Sequence, residues 1–224
     1  MSRIHRLPEI ESPFRRLYIF GAGGSGREVA WLAEQCWGDT VESIFLVDHP
    51  RYASSPVSGI PVHLLQDARV GADCRFVVAL GDIPQRRRAV DACLDRGLRP
   101  VSILHPRAEI AATAAIGIGV VIYPGTVITT NTAVGPYAQI NAGCTVSHDV
   151  HLGEFSTLSP GVHVAGHVCI GRDVFVGTGA NIINGRPDNL LSIGDGAIIA
   201  AGACVINSVE PGAMMAGVPA TRKR

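Results

Sequence analysis

Two residues in this chain, His148 and Asp149, are well placed by type to move a proton. They fall within "TVSHDVH", in a stretch otherwise built of Gly, Ala, Thr and aliphatic residues. Free imidazole changes charge near neutral pH, so a histidine can take a proton from an attacking nucleophile, and an adjacent carboxylate can orient the ring. An ordinary exposed turn histidine is the competing reading of the same residue. Cys144 lies nearby, but it belongs to a series of small residues that face inward, which argues against a cysteine nucleophile. His151, His163 and His167 invite comparison with a zinc cluster around His148. His163 and His167 are spaced H-x3-H with no matching third position, so no metal is expected.

A second group of residues suits phosphate. Gly21, Gly23 and Gly26 form G-x-G-x-x-G in "YIFGAGGSGREVA", after an apolar strand and before a helix-like stretch, and Asp48 closes the next apolar strand. Such glycines let backbone N–H groups approach a phosphate at a helix N-terminus, while a carboxylate about 20 residues further on accepts ribose hydroxyls. A purely structural tight turn is the alternative. A third strand follows in "RFVVALGD", then a helix from "IPQRRRAVDACLDRG" and a segment "RPVSIL". The unit is close to one mononucleotide-binding half, which disfavours NAD.

Beyond it an aliphatic residue recurs every six positions, at Leu104, Ile110, Ile116, Ile122, Ile128, Val134, Ile140, Val146, Leu152, Leu158, Val164, Ile170, Val176 and Ile182. After five inserted residues around "PDNLLS" the period resumes at Ile193, Ile199 and Val205. Four positions after each aliphatic stands a small or β-branched residue, from Ala108 and Ala114 to Cys144, Val150 and Ser156. This is the pattern of a parallel β-helix, in which each short strand buries one aliphatic against the coils on either side. Three six-residue faces per coil stack residues eighteen apart, placing Gly166 over His148. The inserted loop is expected to project from a corner, where it could cover a neighbouring cleft.

Composition fits this division. The chain has 224 residues, 47% of them hydrophobic and 5% aromatic, with 26 glycines. Nineteen basic residues balance nineteen acidic ones, which gives no reason to expect nucleic acid or an anionic membrane surface as partner. The six scattered cysteines, the absence of an apolar leader in "MSRIHRLPEIESPFRR" and the absence of a long apolar run predict a cytoplasmic protein. The expected layout is an N-terminal arm over residues 1–16, a Rossmann-like α/β nucleotide-binding domain over 17–103, and a parallel β-helix over 104–224.

"GAGGSGREVA", the "GD" of Gly81 and Asp82, "LHPRAEI" leading into the repeats and "GVPA" near the end together resemble the NeuD/PglD family of hexapeptide-repeat sugar acyltransferases. The likeness runs from about Leu17 to Ala220. It implies a left-handed β-helix, a homotrimer with active sites between subunits, acetyl-CoA as donor, and an amino- or hydroxy-sugar acceptor, often nucleotide-linked. It puts the general base on His148, its acidic partner on Asp149, where the family has Glu, and the acetyl-oxygen contact on Gly166. The acceptor is expected at Gly21, Gly23, Ser25, Gly26, Asp48, Gly81 and Asp82. The coenzyme is expected at Gly166, Gly177, Ala200, Ala201, Gly202 and Thr157, the last standing where some members carry histidine. N-acetylation of a nucleotide-linked amino sugar is the leading expectation. Sugar O-acetylation, transfer to an unusual amine, and a non-catalytic nucleotide-sensing scaffold are the rivals.

Overall fold

The computed structural model describes residues 13–53 and 55–223, so most of the expected N-terminal arm lies outside the described residues. The chain divides into two compact units whose sequence boundary falls between Ile103 and Leu104.

The first unit is a parallel sheet with two helices. Strand β1 (Arg16–Phe20) leads into α1 (Gly24–Trp37), and β2 (Glu42–Val47), β3 (Val62–Leu64), β4 (Cys74–Val78) and α2 (Ile83–Asp95) follow. The strand order is β3-β2-β1-β4, with β1 paired in parallel to both β2 and β4. Residues along β4 are buried throughout, as in a strand packed on both faces. α1 turns Val29, Ala30, Leu32 and Ala33 inward, the face that its apolar spacing predicts. The edge strand β3 is an addition to the three strands read from sequence: it has three residues, too short for a period of two to register.

The second unit is a left-handed parallel β-helix, and its coil length explains its pairing. Ala133 and Val134 pair with His151 and Leu152, and these pair with Cys169 and Ile170, always eighteen residues on. After the insertion Ile170 pairs with Ile193 and Val176 with Ile199, five residues further than before. Three sheets of five, eight and six strands form the faces. Every aliphatic of the six-residue series from Ile116 to Val205 is buried, each stabilising the coil by about 1.5–3 kcal/mol. Polar members of the small-residue series are satisfied: Thr126 Oγ1 donates to Asn141 O, Thr132 Oγ1 to Ser147 O, and Ser156 Oγ to Gly171 O.

Each face ends in a residue at left-handed φ, so three such columns run along the β-helix. One holds Gly119, Tyr137, Phe155, Asp173 and Gly196; a second holds Gly125, Gly143, Gly161, Gly179 and Gly202; the third holds Asn131, Asp149 and His167. The third, here called the polar corner, joins the six-stranded face to the five-stranded one. Among the described residues no helix is long and apolar enough to cross a membrane.

Candidate active site

His148 occupies the position just before the left-handed residue of its hexapeptide. At this place Pro106, Pro124, Pro136 and Pro160 stand elsewhere in the chain, so the ladder makes no use of the N–H there. The same position one coil on is Gly166, whose N–H donates to no group among the described residues although the residue is buried. Its missing side chain is what admits the imidazole: a Cβ on Gly166 would stand 2.5 Å from His148 Cε1 and 2.7 Å from Nε2. The ring of the candidate base therefore lies beside Gly166, a residue whose N–H bonds nothing among the described residues and could serve a developing oxyanion.

Asp149 follows at φ 57° and accepts from His148, with Nδ1 to Oδ2 at 2.9 Å. Asn131, one coil earlier, donates from Nδ2 to Asp149 Oδ1 at 3.2 Å. These two hydrogen bonds, that from His148 first, hold the Asp149 carboxyl below the ordinary carboxylate range. With Nδ1–H directed to Asp149, the Nε2 lone pair of His148 is left to accept a proton from a donor. The side chain of His148 is 53% exposed, so such a donor can reach it from solvent. Cys144 offers no alternative nucleophile: it is fully buried, its Sγ lies 3.1 Å from Ser159 O, and burial pushes its thiol up to about 11.

Sequence reasoning overlooked Asn131 and gave His167 no part beside the base. The coil arithmetic that stacks Gly166 on His148 also stacks Asn131 and His167 on either side of Asp149, and that was the available signal. His167 Nδ1 lies 3.8 Å from Asp149 Oδ2, and its ring meets that of His148 edge-on with centroids 5.0 Å apart. The other histidines go elsewhere. His163 pairs with Thr145 Oγ1 at 2.9 Å, His151 stands exposed on the five-stranded face, and the buried His105 accepts from Arg107 N. The inserted loop, closed by the Arg186–Asn189 bridge, emerges at the polar corner one coil beyond His167, where Gly185 N donates to Gly166 O.

The residues expected at the coenzyme are not all brought to His148 within one chain. Thr157 is buried on the eight-stranded face, which lies opposite the polar corner. Ala200, Ala201 and Gly202 occupy the glycine corner, one face away. Gly177 has a packing reason of its own, since a Cβ there would stand 2.5 Å from Ala201 N.

In the α/β unit the expected residues gather at the carboxyl ends of neighbouring strands. Gly21 adopts φ 107° close to Ala79 O, and a Cβ on Gly26 would collide with Gly21 O, so both are required by packing. Gly23 faces open space and caps α1, whose first turn has no side-chain cap and no acidic residue. With Ser25 half-buried beside it, this helix start is open to an anion. Asp48, exposed just past β2, lines an open cleft of about 410 Å³ with Leu64, Gln66, Asp95 and Arg96. Gly81 is exposed, and Asp82 caps α2 by accepting from Gln85 N at 2.8 Å. The buried Arg86 donates to Leu80 O and so braces that loop from behind.

The family model for the PglD N-terminal domain matches residues 16–93. Among solved structures, WeeI from Acinetobacter baumannii AYE superposes with a TM-score of 0.88 at 28% identity, covering 93% of this chain and 99% of its own. The acetyltransferase domain of PglB from Neisseria gonorrhoeae FA1090, also solved with acetyl coenzyme A, gives 0.84 at 31% identity, with 93% and 99% covered. PerB from Caulobacter crescentus, solved with CoA and GDP-perosamine, gives 0.82 at 31% identity, with 93% and 97% covered. No curated protein sequence matches the chain.

Proposed function

The chain belongs to the NeuD/PglD family of hexapeptide-repeat sugar acetyltransferases, and from that premise we propose that it transfers the acetyl group of acetyl-CoA to the amine of a nucleotide-linked amino sugar, with His148 as general base. The observation that carries this reading is the His148 ring occupying the place of the side chain that Gly166 lacks, beside a residue whose N–H bonds nothing among the described residues, with Asp149 behind it. The amine nitrogen attacks the thioester carbonyl carbon while His148 Nε2 takes its proton. The Gly166 N–H then bonds the oxygen that gains negative charge. Collapse of the tetrahedral species breaks the C–S bond, and the imidazolium returns a proton to the departing thiolate. Asp149, ionised throughout, orients the ring and stabilises its charged form. No acyl-enzyme forms.

The acceptor's nucleotide would lie at Gly21, Gly23, Ser25, Gly26 and Asp48, with Gly81 and Asp82 on the adjoining loop. The open α1 N-terminus supports this placement. A coenzyme reaching both His148 and Ala200, Ala201 and Gly202 would have to touch two different corners of the β-helix. Two chains packed side by side would each supply one of the corners, and this supports the reading of a homotrimer with active sites between subunits. None of the six cysteines takes part in a disulfide, which supports a cytoplasmic location.

The experiment is a free-thiol assay with acetyl-CoA and a panel of UDP-, GDP- and dTDP-linked 4-amino sugars, run beside His148→Ala. Thiol release that depends on one amino sugar and drops by about 10²- to 10⁴-fold in the variant is the expected result. A panel that is silent while acetyl-CoA still binds would redirect the reading to a hydroxyl or an unusual amine. Failure to bind either ligand would favour a scaffold.

A further inference from the structure

The polar corner holds one more metal-binding side chain than acetyl transfer requires. His167 Nδ1 approaches the same Asp149 oxygen that accepts from His148, at 3.8 Å against 2.9 Å. One ligand atom from each of the three side chains lies within 4.8 Å of the others. An ion bonded tetrahedrally at about 2.0–2.1 Å holds its donors roughly 3.3 Å apart, a spacing that these two distances bracket. We propose that His148, Asp149 and His167 form a binding site for a zinc-like divalent transition-metal ion, and that occupancy reversibly switches the enzyme off.

Two imidazoles and a carboxylate favour Zn²⁺, Co²⁺, Ni²⁺ or Cu²⁺ over the oxygen-seeking Mg²⁺ and Ca²⁺. Asn131 donates to Asp149 Oδ1 and leaves Oδ2 turned toward both rings, the outer support that metal-ligating carboxylates commonly have. His167 is 23% exposed and its two partners more so, so an ion can enter from solvent and keep water in its remaining positions. Both Asp149 and His167 are held at left-handed φ, 57° and 58°, by the coil itself.

The inhibition follows from the two nitrogens of one ring. In the free enzyme His148 carries its proton on Nδ1, directed at Asp149, and uses Nε2 as base. An ion on Nδ1 takes the lone pair at that atom, so the neutral ring must carry its proton on Nε2. Nε2 then has no lone pair with which to accept a proton from the amine. This consequence rests on the reading of His148 as base, whereas ion binding itself does not.

The test separates the two. Metal-stripped full-length protein, without coenzyme or sugar, is titrated with Zn²⁺ by calorimetry and with Co²⁺ by visible absorption, beside His167→Asn. Asparagine tolerates the left-handed backbone and removes the imidazole. One Zn²⁺ per chain for the wild type, bound roughly 10- to 100-fold more weakly by the variant, is the expected outcome. Turnover should fall with Zn²⁺ and return with EDTA in the wild type, be insensitive to Mg²⁺, and persist in His167→Asn at Zn²⁺ levels that silence the wild type. Absence of Zn²⁺ binding, or binding unchanged in His167→Asn, would overturn the site. Binding without loss of turnover would overturn the switch while leaving the site standing, and His148→Ala activity would then show whether the base assignment fails with it.

Discussion

The glycine corner and the polar corner of the β-helix trace the same backbone and spend it differently. Gly125, Gly143, Gly161 and Gly179 turn at φ 68–71°, and Asn131, Asp149 and His167 turn at φ 56–58°. The coil demands a left-handed residue at both places, and a side chain there costs about 1–2 kcal/mol relative to an unstrained position, a cost glycine avoids. Where only a turn is needed, the chain uses glycine. Where it accepts the strain, the side chains meet one another: Asn131 bonds Asp149, Asp149 bonds His148, and His167 approaches both. Tyr137, Phe155 and Asp173 also turn at left-handed φ in the remaining column, so the conformation alone does not point to function; the polar corner stands apart because its side chains converge on one carboxylate.

The largest effect on this contrast should come from a glycine outside both columns. In Gly166→Ala the new methyl would strike the His148 ring, the movable end of a half-exposed side chain, so the fold should hold while the base is displaced. Turnover should drop about 100-fold with an unchanged melting temperature. Gly153→Ala is the counterpart: its methyl meets the backbone of Gly171 and Arg172, which cannot move aside. That variant should lose about 1–3 kcal/mol of stability. Equal melting losses in the two would show that Gly166 is a packing glycine and remove it from the site.

A smaller effect is expected from Asp149→Asn, which keeps a residue tolerant of the left-handed backbone and removes the charge that faces His148 Nδ1. Turnover should fall about 10- to 100-fold, in kcat more than in KM, because the proposed mechanism sets this charge beside an imidazolium formed during transfer. A change confined to KM would make Asp149 a binding residue. Smaller still, Gly161→Ala at the glycine corner meets open space but keeps φ 68°, so it should cost about 1 kcal/mol in denaturant unfolding and leave turnover unaltered.

The β-helix was legible because its signal repeats: each coil states the six-residue period three times, and the eighteen-residue stack follows from it. The same arithmetic put Gly166 over His148. It was not applied to Asn131 or His167, because the histidines were weighed by their spacing along the chain, where His163 and His167 are H-x3-H, whereas the coil brings side chains together one full turn apart. β3 escaped for the opposite reason, being three residues at a sheet edge with half-buried Val62 and Leu64 and no repeat to reinforce it. Gly21 and Gly26 fitted a phosphate fingerprint, yet in space they serve packing against Ala79 and each other, leaving Gly23 as the member that faces outward. A motif records which residues are small, and only the folded chain distinguishes room for a ligand from room for another strand.

Acid provides the finest separation of the two corners. The carboxyl of Asp149 is held below its ordinary value of about 3.9 by the hydrogen bond from His148 and then by that from Asn131. A carboxyl depressed in the folded state adds stability above its unfolded value, and that contribution disappears as pH falls through the lower folded value. The stability difference between wild type and Asp149→Asn should therefore be present from neutral pH down to about 4 and vanish below it. Because Asp149 is well exposed the difference is small, and urea unfolding at a series of pH values is the measurement to use. The deficit of Gly161→Ala comes from backbone strain and involves no proton, so it should stay constant over the same range. A deficit in Asp149→Asn that is equally indifferent to pH would mean the carboxylate contributes shape rather than charge, and the polar corner would then differ from the glycine corner only in the size of its residues.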